Sequence, residues 1–340
     1  MSIPKVVVTY NIGEEALAIL KKHPMELVLW SEDRNAPREW LVENIPGAVG
    51  LLCMLTDKPI DGALLDIAGP NLQVVSTVSV GYDHIDFQAL SQRNIKLGHT
   101  PDVLTEAVAD ITVMLALMAS RNGRIAVEAV EAGKWPSTPW SLFAFCGPQI
   151  SSPGYTVGFV GFGRIAQATL RRLRSFGIDR FLYNNTGRGS SRESADVDLR
   201  QQFNLKELRR VELDELAAEC DLIITLTPGG ALTHHLVNES FLRKMKKTAI
   251  LVNPSRGTVV DSNALALALK ESWIWAAGLD VVEGEPNVGL DHPLVQQPRA
   301  VLLPHIGSAT FETRIAMACT AAENLIRALA GEPLLAEVKQ

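Results

Sequence analysis

Short runs of aliphatic and β-branched residues alternate with helix-like stretches in two successive series, and this alternation constrains the fold more than any other feature. The strand-like runs of the first series are 5–9, 26–29, 49–54, 72–77 and 95–98. Those of the second are 156–161, 180–184, 222–226, 249–253, 277–281 and 300–304. Alternation of this kind is typical of parallel sheets covered by helices on both faces. The sequence therefore predicts an α/β protein with two doubly wound parallel sheets.

The length of 340 residues suits two domains rather than one. The stretch 311–329 has the pattern of one long helix with no strand after it. We expect this helix to return to the first domain, which makes that domain discontinuous. We predict a first domain from residues 1–103 plus 309–340, a second domain from residues 104–308, and a cleft between them.

Composition excludes several function classes. The net charge is −6 and no long basic block is present, which disfavours nucleic acid and membrane surfaces as partners. The most apolar run, 107–119, contains Asp110 and is shorter than the roughly 20 residues of a membrane span. The first strand-like run begins close to the N-terminus, so we expect no targeting peptide.

The cysteines and histidines predict neither a disulfide framework nor a metal site. The four cysteines are far apart and form no CxxC pair, so we expect a reducing, cytoplasmic setting. His234 and His235 are adjacent, but neighbours on a helix point about 100° apart, so we expect no metal there.

A glycine-rich turn follows the first strand of the second series. Its pattern is Gly161-x-Gly163-x-x-Ala166, and a helix opens at Arg164. The first glycine allows a tight turn, the second lets a pyrophosphate approach the backbone, and a small third residue lets the helix lie close to the strand. Free N–H groups at the helix start favour phosphate. We therefore predict a dinucleotide site.

The end of the next strand predicts which dinucleotide binds. Enzymes that use NAD usually carry Asp or Glu there for the ribose hydroxyl, but this chain has Asn184, Asn185, Thr186 and Arg188 and no carboxylate. Arg188 can pair with a 2′-phosphate. We predict a preference for NADP(H), with NAD(H) as a possible substitute. The alternative, that Arg188 is a solvated loop cation, stays open.

At this point the chain resembles the D-2-hydroxyacid dehydrogenases, and among them the glyoxylate/hydroxypyruvate reductases. The segments that carry the resemblance occur in family order over nearly the whole chain, and they are 76–86, 100–105, 157–167, 226–228, 252–261, 277–286 and 303–310. The resemblance implies a flavodoxin-like substrate domain and a Rossmann cofactor domain. Two departures are Ala166 in the third glycine position and a longer loop at 184–188.

The resemblance also implies a catalytic group of three residues, each after a strand of the second series. Arg256 would grip the carboxylate and carbonyl oxygen of a 2-oxo acid, because its planar guanidinium can bind both. His305 would donate the proton. Glu285 would bind His305 and stabilise its charged form; family-like spacing selects Glu285 over Glu283, which the residue types alone cannot do.

Further residues are expected to bind substrate or cofactor. The turn at Val80 and Gly81 offers backbone N–H groups to the substrate carboxylate. The residues expected along the cofactor are Thr105, Gly161, Gly163, Arg164, Ile165, Leu226, Thr227, Pro228, Pro254, Ser255, Arg256, Asp280, His305, Gly307 and Ser308. Asp280 is expected at the nicotinamide amide.

Trp140 lies in an irregular, proline-rich stretch, 133–154. In the reductases that the chain resembles, a similarly placed tryptophan reaches the active site of a neighbouring subunit. We predict a homodimer with segment 104–154 in its interface and Trp140 at the substrate pocket. A tryptophan packed within its own subunit is the alternative.

Two rival functions stay open from the sequence. The first is another enzyme on the same fold, such as a reductase of a larger 2-oxo acid or a phosphite or formate dehydrogenase; formate enzymes carry Gln where this chain has Glu285. The second is a cofactor-sensing binding protein similar to the corepressors related to this family.

Overall fold

The computed structural model describes residues 3–55, 58–138, 140–185 and 193–339. The chain folds into two compact units. Unit 1 comprises Met1–Leu104 and Ser308–Gln340, and unit 2 comprises Thr105–Gly307. The assignment of substrate binding to the first unit and cofactor binding to the second stays a prediction.

Unit 1 contains a five-stranded parallel sheet. Its strands are β1 (Lys5–Val8), β2 (Glu26–Leu29), β3 (Gly50–Cys53), β4 (Val74–Thr77) and β5 (Lys96–Gly98). Their order is β2-β1-β3-β4-β5, and all pairs are parallel. This is the flavodoxin-like order. Every residue of β3 and β4 is buried, as expected for the centre of a sheet covered on both faces.

The helices of unit 1 are α1 (Gly13–Lys21), α2 (Arg38–Asn44), α3 (Gly62–Ala68), α4 (Phe87–Gln92) and the C-terminal α12 (Phe311–Leu329). Helix α12 packs against α1 and against β3 and β4, so two separate stretches of chain form this unit. Buried Asn324 fixes it: its amide donates to the carbonyl of His99 at 2.9 Å and accepts from the N–H of Ala336 at 3.0 Å.

Unit 2 contains a seven-stranded parallel sheet. Its strands are β6 (Thr156–Val160), β7 (Arg180–Asn184), β8 (Glu207–Arg210), β9 (Leu222–Thr225), β10 (Ile250–Asn253), β11 (Ala276–Leu279) and β12 (Ala300–Leu302). Their order is β12-β11-β10-β9-β6-β7-β8. Counted from β6, this is the Rossmann order 3-2-1-4-5-6 with one added strand. The predicted fold class is confirmed.

The helices of unit 2 are α5 (Thr105–Ser120), α6 (Gly123–Glu131), α7 (Arg164–Arg174), α8 (Glu193–Gln202), α9 (Leu213–Glu219), α10 (Glu239–Lys244) and α11 (Ser262–Lys270). Helix α5 packs against α7, β10 and β11, which explains its apolar character on most sides. Among the described residues, no helix is long and apolar enough to cross a membrane.

Candidate active site

The carboxyl edge of the unit 2 sheet carries the three residues expected to catalyse. Arg256 follows β10, Glu285 follows β11 and His305 follows β12. These strands are neighbours and parallel, so their carboxyl ends lie at one edge. Ligands of open α/β sheets bind at that edge, beside the point where strand order reverses. Here that point lies between β6 and β9.

His305 is held in a tight turn beside Glu285. Its backbone φ is +53°, a left-handed conformation that non-glycine residues seldom adopt. Its N–H donates to the carbonyl of Asp280 at 2.9 Å. Its Nδ1 lies 3.2 Å from Oε1 of Glu285, so Nε2 is the ring nitrogen that can exchange a proton with a substrate.

Asp280 shapes this turn, which the sequence analysis did not foresee. Both carboxylate oxygens accept backbone N–H groups at 2.8 Å, one from Ile306 and one from Gly307. Burial raises the pKa of Asp280 and outweighs the two N–H donors, which lower it. A Cβ on Gly307 would lie 2.8 Å from Asp280 Oδ2, so glycine keeps this contact open. The predicted contact of Asp280 with the nicotinamide stays a prediction.

The turn that carries Arg256 is organised by a buried asparagine. Asn253 Oδ1 accepts from the N–H of Ser255 at 3.1 Å and from the Oγ1 of Thr225 at 2.7 Å. Its amide donates to the carbonyl of Arg256 at 2.9 Å. These contacts close residues 253–256 into a compact turn around Pro254. Asn253 was missed because an asparagine that ends a buried strand has no signal of its own in the sequence.

The Arg256 turn is packed directly on the loop that carries Glu285. A Cβ on Gly257 would lie 2.1 Å from the carbonyl oxygen of Val282 and 2.6 Å from the backbone nitrogen of Glu283. Only a residue without a side chain permits this approach. The site therefore depends on a glycine outside the expected set.

The two adjacent histidines do not lie on a helix, and that premise of the sequence analysis was wrong. Residues 231–235 form a turn, and the rings of His234 and His235 stack at 3.9 Å with an interplanar angle of 23°. With Glu283 they place three possible ligand atoms within 4.8 Å. Within this group, His235 Nε2 lies 2.6 Å from Glu283 Oε1.

The glycine-rich turn fits a dinucleotide. Gly161 has φ +92°, and a Cβ there would lie 2.5 Å from the carbonyl oxygen of Leu226. Gly163 precedes α7, and no described atom lies within 4 Å of its would-be Cβ, so a ligand can approach its backbone. Arg164 is exposed and Ile165 half-buried. Within the described part of the chain, no side chain caps α7, which leaves its first N–H groups for phosphate.

The residues that distinguish the cofactors are only partly described. Asn184 donates to the carbonyl of Val211 at 2.8 Å. The carbonyl of Asn185 accepts from Arg210 Nη2 at 3.3 Å. Thr186 and Arg188 lie outside the described residues. Arg210, at the end of β8, is a cation that the sequence analysis missed because that strand was not predicted.

The other expected cofactor residues are divided between the two units. Leu226, Thr227 and Pro228 follow β9, and the carbonyl of Pro228 accepts from Thr233 Oγ1 at 2.8 Å. Thr105 is the first residue of α5, and Ser308 is the first residue of the second stretch of unit 1.

In unit 1, Val80 and Gly81 follow β4, as expected of a turn at the carboxyl end of a strand. The carbonyl of Val80 lies 3.0 Å from His99 Nδ1, and the carbonyl of Gly81 accepts from Ser79 Oγ at 2.6 Å. Both carbonyls are therefore engaged within the protein. The binding of a substrate carboxylate by the N–H groups of this turn stays a prediction.

Trp140 lies on an apolar surface of unit 2. Its side chain is fully exposed, and Leu142 and Phe143 are 84% and 80% exposed. The surface contains a hollow of about 300 Å³. The lining residues are Ala126, Ala129, Val130, Trp135, Thr138, Trp140, Ser141, Ala144 and Phe145. Contiguous exposed apolar patches mark interaction sites.

Comparison with known proteins gives consistent matches. Residues 113–307 match the NAD binding domain of the D-isomer specific 2-hydroxyacid dehydrogenases. A glyoxylate reductase of Thermofilum pendens is 44% identical over 332 residues, which are 98% of this chain and 93% of the relative. A glyoxylate reductase/hydroxypyruvate reductase of Homo sapiens is 42% identical over 336 residues, 98% of both chains.

A solved structure adds a ligand-bound neighbour. It is an NADPH-dependent glyoxylate/hydroxypyruvate reductase of Sinorhizobium meliloti in complex with NADP and malonate. It is similar to this chain with a TM-score of 0.80 and 31% identity, over 99% of this chain and 97% of the neighbour.

Proposed function

The chain belongs to the D-isomer specific 2-hydroxyacid dehydrogenases, and on that premise we propose that it reduces glyoxylate to glycolate and hydroxypyruvate to D-glycerate with NADPH. It is an NAD(P)-dependent oxidoreductase, as the motifs predicted. The observation that carries the proposal is the 3.2 Å contact between His305 Nδ1 and Glu285 Oε1 at the same sheet edge as the glycine-rich turn.

Each residue of the group has one role in the proposed reaction. Arg256 binds the carboxylate and the 2-oxo oxygen of the acid and polarises the carbonyl. His305 in its charged form donates a proton from Nε2 to that oxygen, and the Glu285 carboxylate stabilises the charge and orients the ring. A reduced nicotinamide, when bound, would supply the hydride for the carbonyl carbon. Hydride and proton together convert the 2-oxo acid to the 2-hydroxy acid.

The dinucleotide would be held by the turn at Gly161 and Gly163 and by the N-terminus of α7. The preference for NADPH is supported by the lack of a carboxylate at the end of β7 and by Arg210 beside Asn185. A carboxylate there would repel a 2′-phosphate, whereas a guanidinium can pair with it. The related Sinorhizobium enzyme is NADPH-dependent and was solved with NADP. Arg188 and Thr186 stay in the proposed set.

A homodimer is proposed on the apolar surface around Trp140, whose exposed Leu142 and Phe143 would be covered by a second copy. Trp140 would then lie near the substrate of the partner.

A cytoplasmic location is proposed because all four cysteines are free thiols, two of them buried, as suits a reducing compartment.

Steady-state kinetics test the function. Loss of absorbance at 340 nm is followed with glyoxylate, hydroxypyruvate, pyruvate and a bulkier 2-oxo acid, each with NADPH and with NADH. We expect the highest kcat/KM with glyoxylate or hydroxypyruvate and NADPH. A higher kcat/KM with NADH would refute the cofactor preference, and a higher value with pyruvate or the bulkier acid would refute the substrate.

The same assay separates the rival functions. A phosphite or formate dehydrogenase would reduce NADP⁺ or NAD⁺ with phosphite or formate and leave glyoxylate untouched. A cofactor-sensing binding protein would bind NADPH without turnover of any acid. Glu285 opposes the formate enzyme, because its contact with His305 suits a proton donor.

A further inference from the structure

Glu283 lies two residues before Glu285 in the loop after β11, but its carboxylate contacts different groups. Oε1 lies 2.6 Å from His235 Nε2, and Oε2 accepts the N–H of Ser262 at 3.0 Å. The side chains of Glu283 and His235 are 27% and 34% exposed, so water screens the pair only in part. Burial raises the pKa of Glu283, but the Ser262 N–H and His235 outweigh it, so the pKa is lowered.

His235 is itself tied to the turn that follows Arg256. Its backbone N–H donates to the carbonyl of Thr258 at 2.8 Å. Thr258 lies in a short 3-10 helix, Gly257–Val259, directly after Arg256. The backbone of His235 is thus bound to the Arg256 turn, while its ring is bound to the Glu285 loop. His235 therefore connects the two segments that present catalytic groups.

The residue between the two glutamates is a glycine in a conformation that other residues seldom adopt. Gly284 has φ +82°, and no described atom lies within 4 Å of its would-be Cβ. Glycine restricts the backbone less than any other residue. The Glu283 carboxylate anchors the loop on one side of Gly284, and on the other side the Gly284 carbonyl accepts the N–H of Asn287 at 2.9 Å.

We infer that His235 and Glu283 are a positioning pair that fixes the loop bearing Glu285, and that they act on His305 through Glu285. This inference rests on the proposed function, because it concerns the same proton donor. Among the described residues, the titratable side chains that face the pair are His234, whose ring is stacked on His235, and Asp261, whose Oδ2 lies 3.8 Å from His235 Nδ1. Those around His305 are Glu285 and Asp280.

A double-mutant cycle tests the inference. Glu283→Ala is made in the wild type and in a Glu285→Gln background. In the wild type we expect kcat for glyoxylate to fall roughly tenfold, since small displacements of a positioned group cost up to about 10²-fold, and KM for NADPH to stay within about twofold. The alkaline limb of the pH profile for reduction should move to lower pH, because His305 loses an aligned carboxylate. In the Glu285→Gln background Glu283→Ala should add nothing.

Two further variants separate positioning from general damage. Glu283→Gln keeps an oxygen for the Ser262 N–H and an amide for His235, so it should recover most of kcat. His235→Asn should reproduce Glu283→Ala without backbone strain, because His235 has φ +48° and asparagine tolerates that conformation. The control is Glu239→Gln, which removes a glutamate paired with Arg243 at 2.7 Å on α10 and should leave kcat unchanged.

NMR of the His305 ring provides a readout that does not need turnover. The Hε1–Cε1 signal of His305 should shift in Glu283→Ala, not shift in Glu239→Gln, and show no added shift when Glu285→Gln is already present. Equal effects of Glu283→Ala in both backgrounds, or none in the wild type, would overturn the inference. If the wild type has no reductase activity but shows this NMR pattern, the proposed function is refuted and the inference about the positioning pair stands.

Discussion

Replacement of Gly257 by alanine tests whether the Arg256 turn and the Glu285 loop must touch. The new Cβ would lie 2.1 Å from the Val282 carbonyl oxygen and 2.2 Å from its carbon. Ordinary contacts of this kind lie at about 3.5 Å, so the two segments must separate by roughly 1.4 Å. Both neighbours are backbone atoms, which no rotamer change can move. Overpacking of this kind costs about 1–3 kcal/mol.

The catalytic consequence should exceed the loss of stability. A displacement of about 1 Å in positioned groups can cost about 10²-fold in rate, so kcat/KM for glyoxylate should fall by about that factor in Gly257→Ala. Urea unfolding measures the stability, and the assay at 340 nm measures the rate. Gly62→Ala is the control, since its nearest atom is 3.7 Å from the would-be Cβ. Wild-type kcat/KM and stability in Gly257→Ala would refute the reasoning.

Three other predictions follow from single contacts. In Gly161→Ala the new residue would have to keep φ +92° and place its Cβ 2.5 Å from the Leu226 carbonyl oxygen, so the glycine-rich turn must shift. The affinity for NADPH, measured by fluorescence, should therefore fall at least about tenfold. An unchanged Kd would contradict this prediction. The pKa of Glu283 in the folded protein lies below its ordinary value of 4.5. The ionised Glu283 carboxylate therefore stabilises the folded state fully above pH 4.5, and this stabilisation is lost as the pH falls through the folded-state pKa. The difference in urea midpoint between wild type and Glu283→Gln should therefore shrink below about pH 4.5, and a constant difference from pH 7 to 3 opposes the assignment. Trp140→Ala should weaken the dimer in sedimentation velocity and change the preference among glyoxylate, hydroxypyruvate and bulkier acids; unchanged mass and preference count against the proposed interface.

The regular parts of the fold could be predicted because their signals are local. Buried parallel strands are continuous aliphatic runs, and the helix Phe311–Leu329 was predicted at the bounds that the structure has. Strand β8 was missed because its sequence is Glu-Leu-Arg-Arg and only Leu208 is buried. Its Arg209 forms ion pairs with Glu207, Glu215 and Glu219, so it is a charged edge strand without an apolar pattern. Helix α6 was missed because none of its residues is buried.

Contacts between distant loops could not be predicted from local signals. The sequence marks His305 and Glu285 as candidates by residue type and order. It contains no signal that Asp280 binds two N–H groups 26 and 27 positions later, or that Gly257 packs on Val282. These contacts depend on register between parallel strands, which brings together segments far apart in the chain. The wrong premise about His234 and His235 has the same origin, since a turn and a helix present adjacent rings differently.

The most direct test of the account is the turnover of His305→Asn. Asparagine tolerates the left-handed backbone of this position, φ +53°, and cannot act as the acid. At saturating glyoxylate and NADPH, we expect kcat to fall by about 10²–10⁴, with the NADPH Kd within about twofold of the wild type. A variant that keeps more than about a tenth of the wild-type kcat would contradict proton donation by His305.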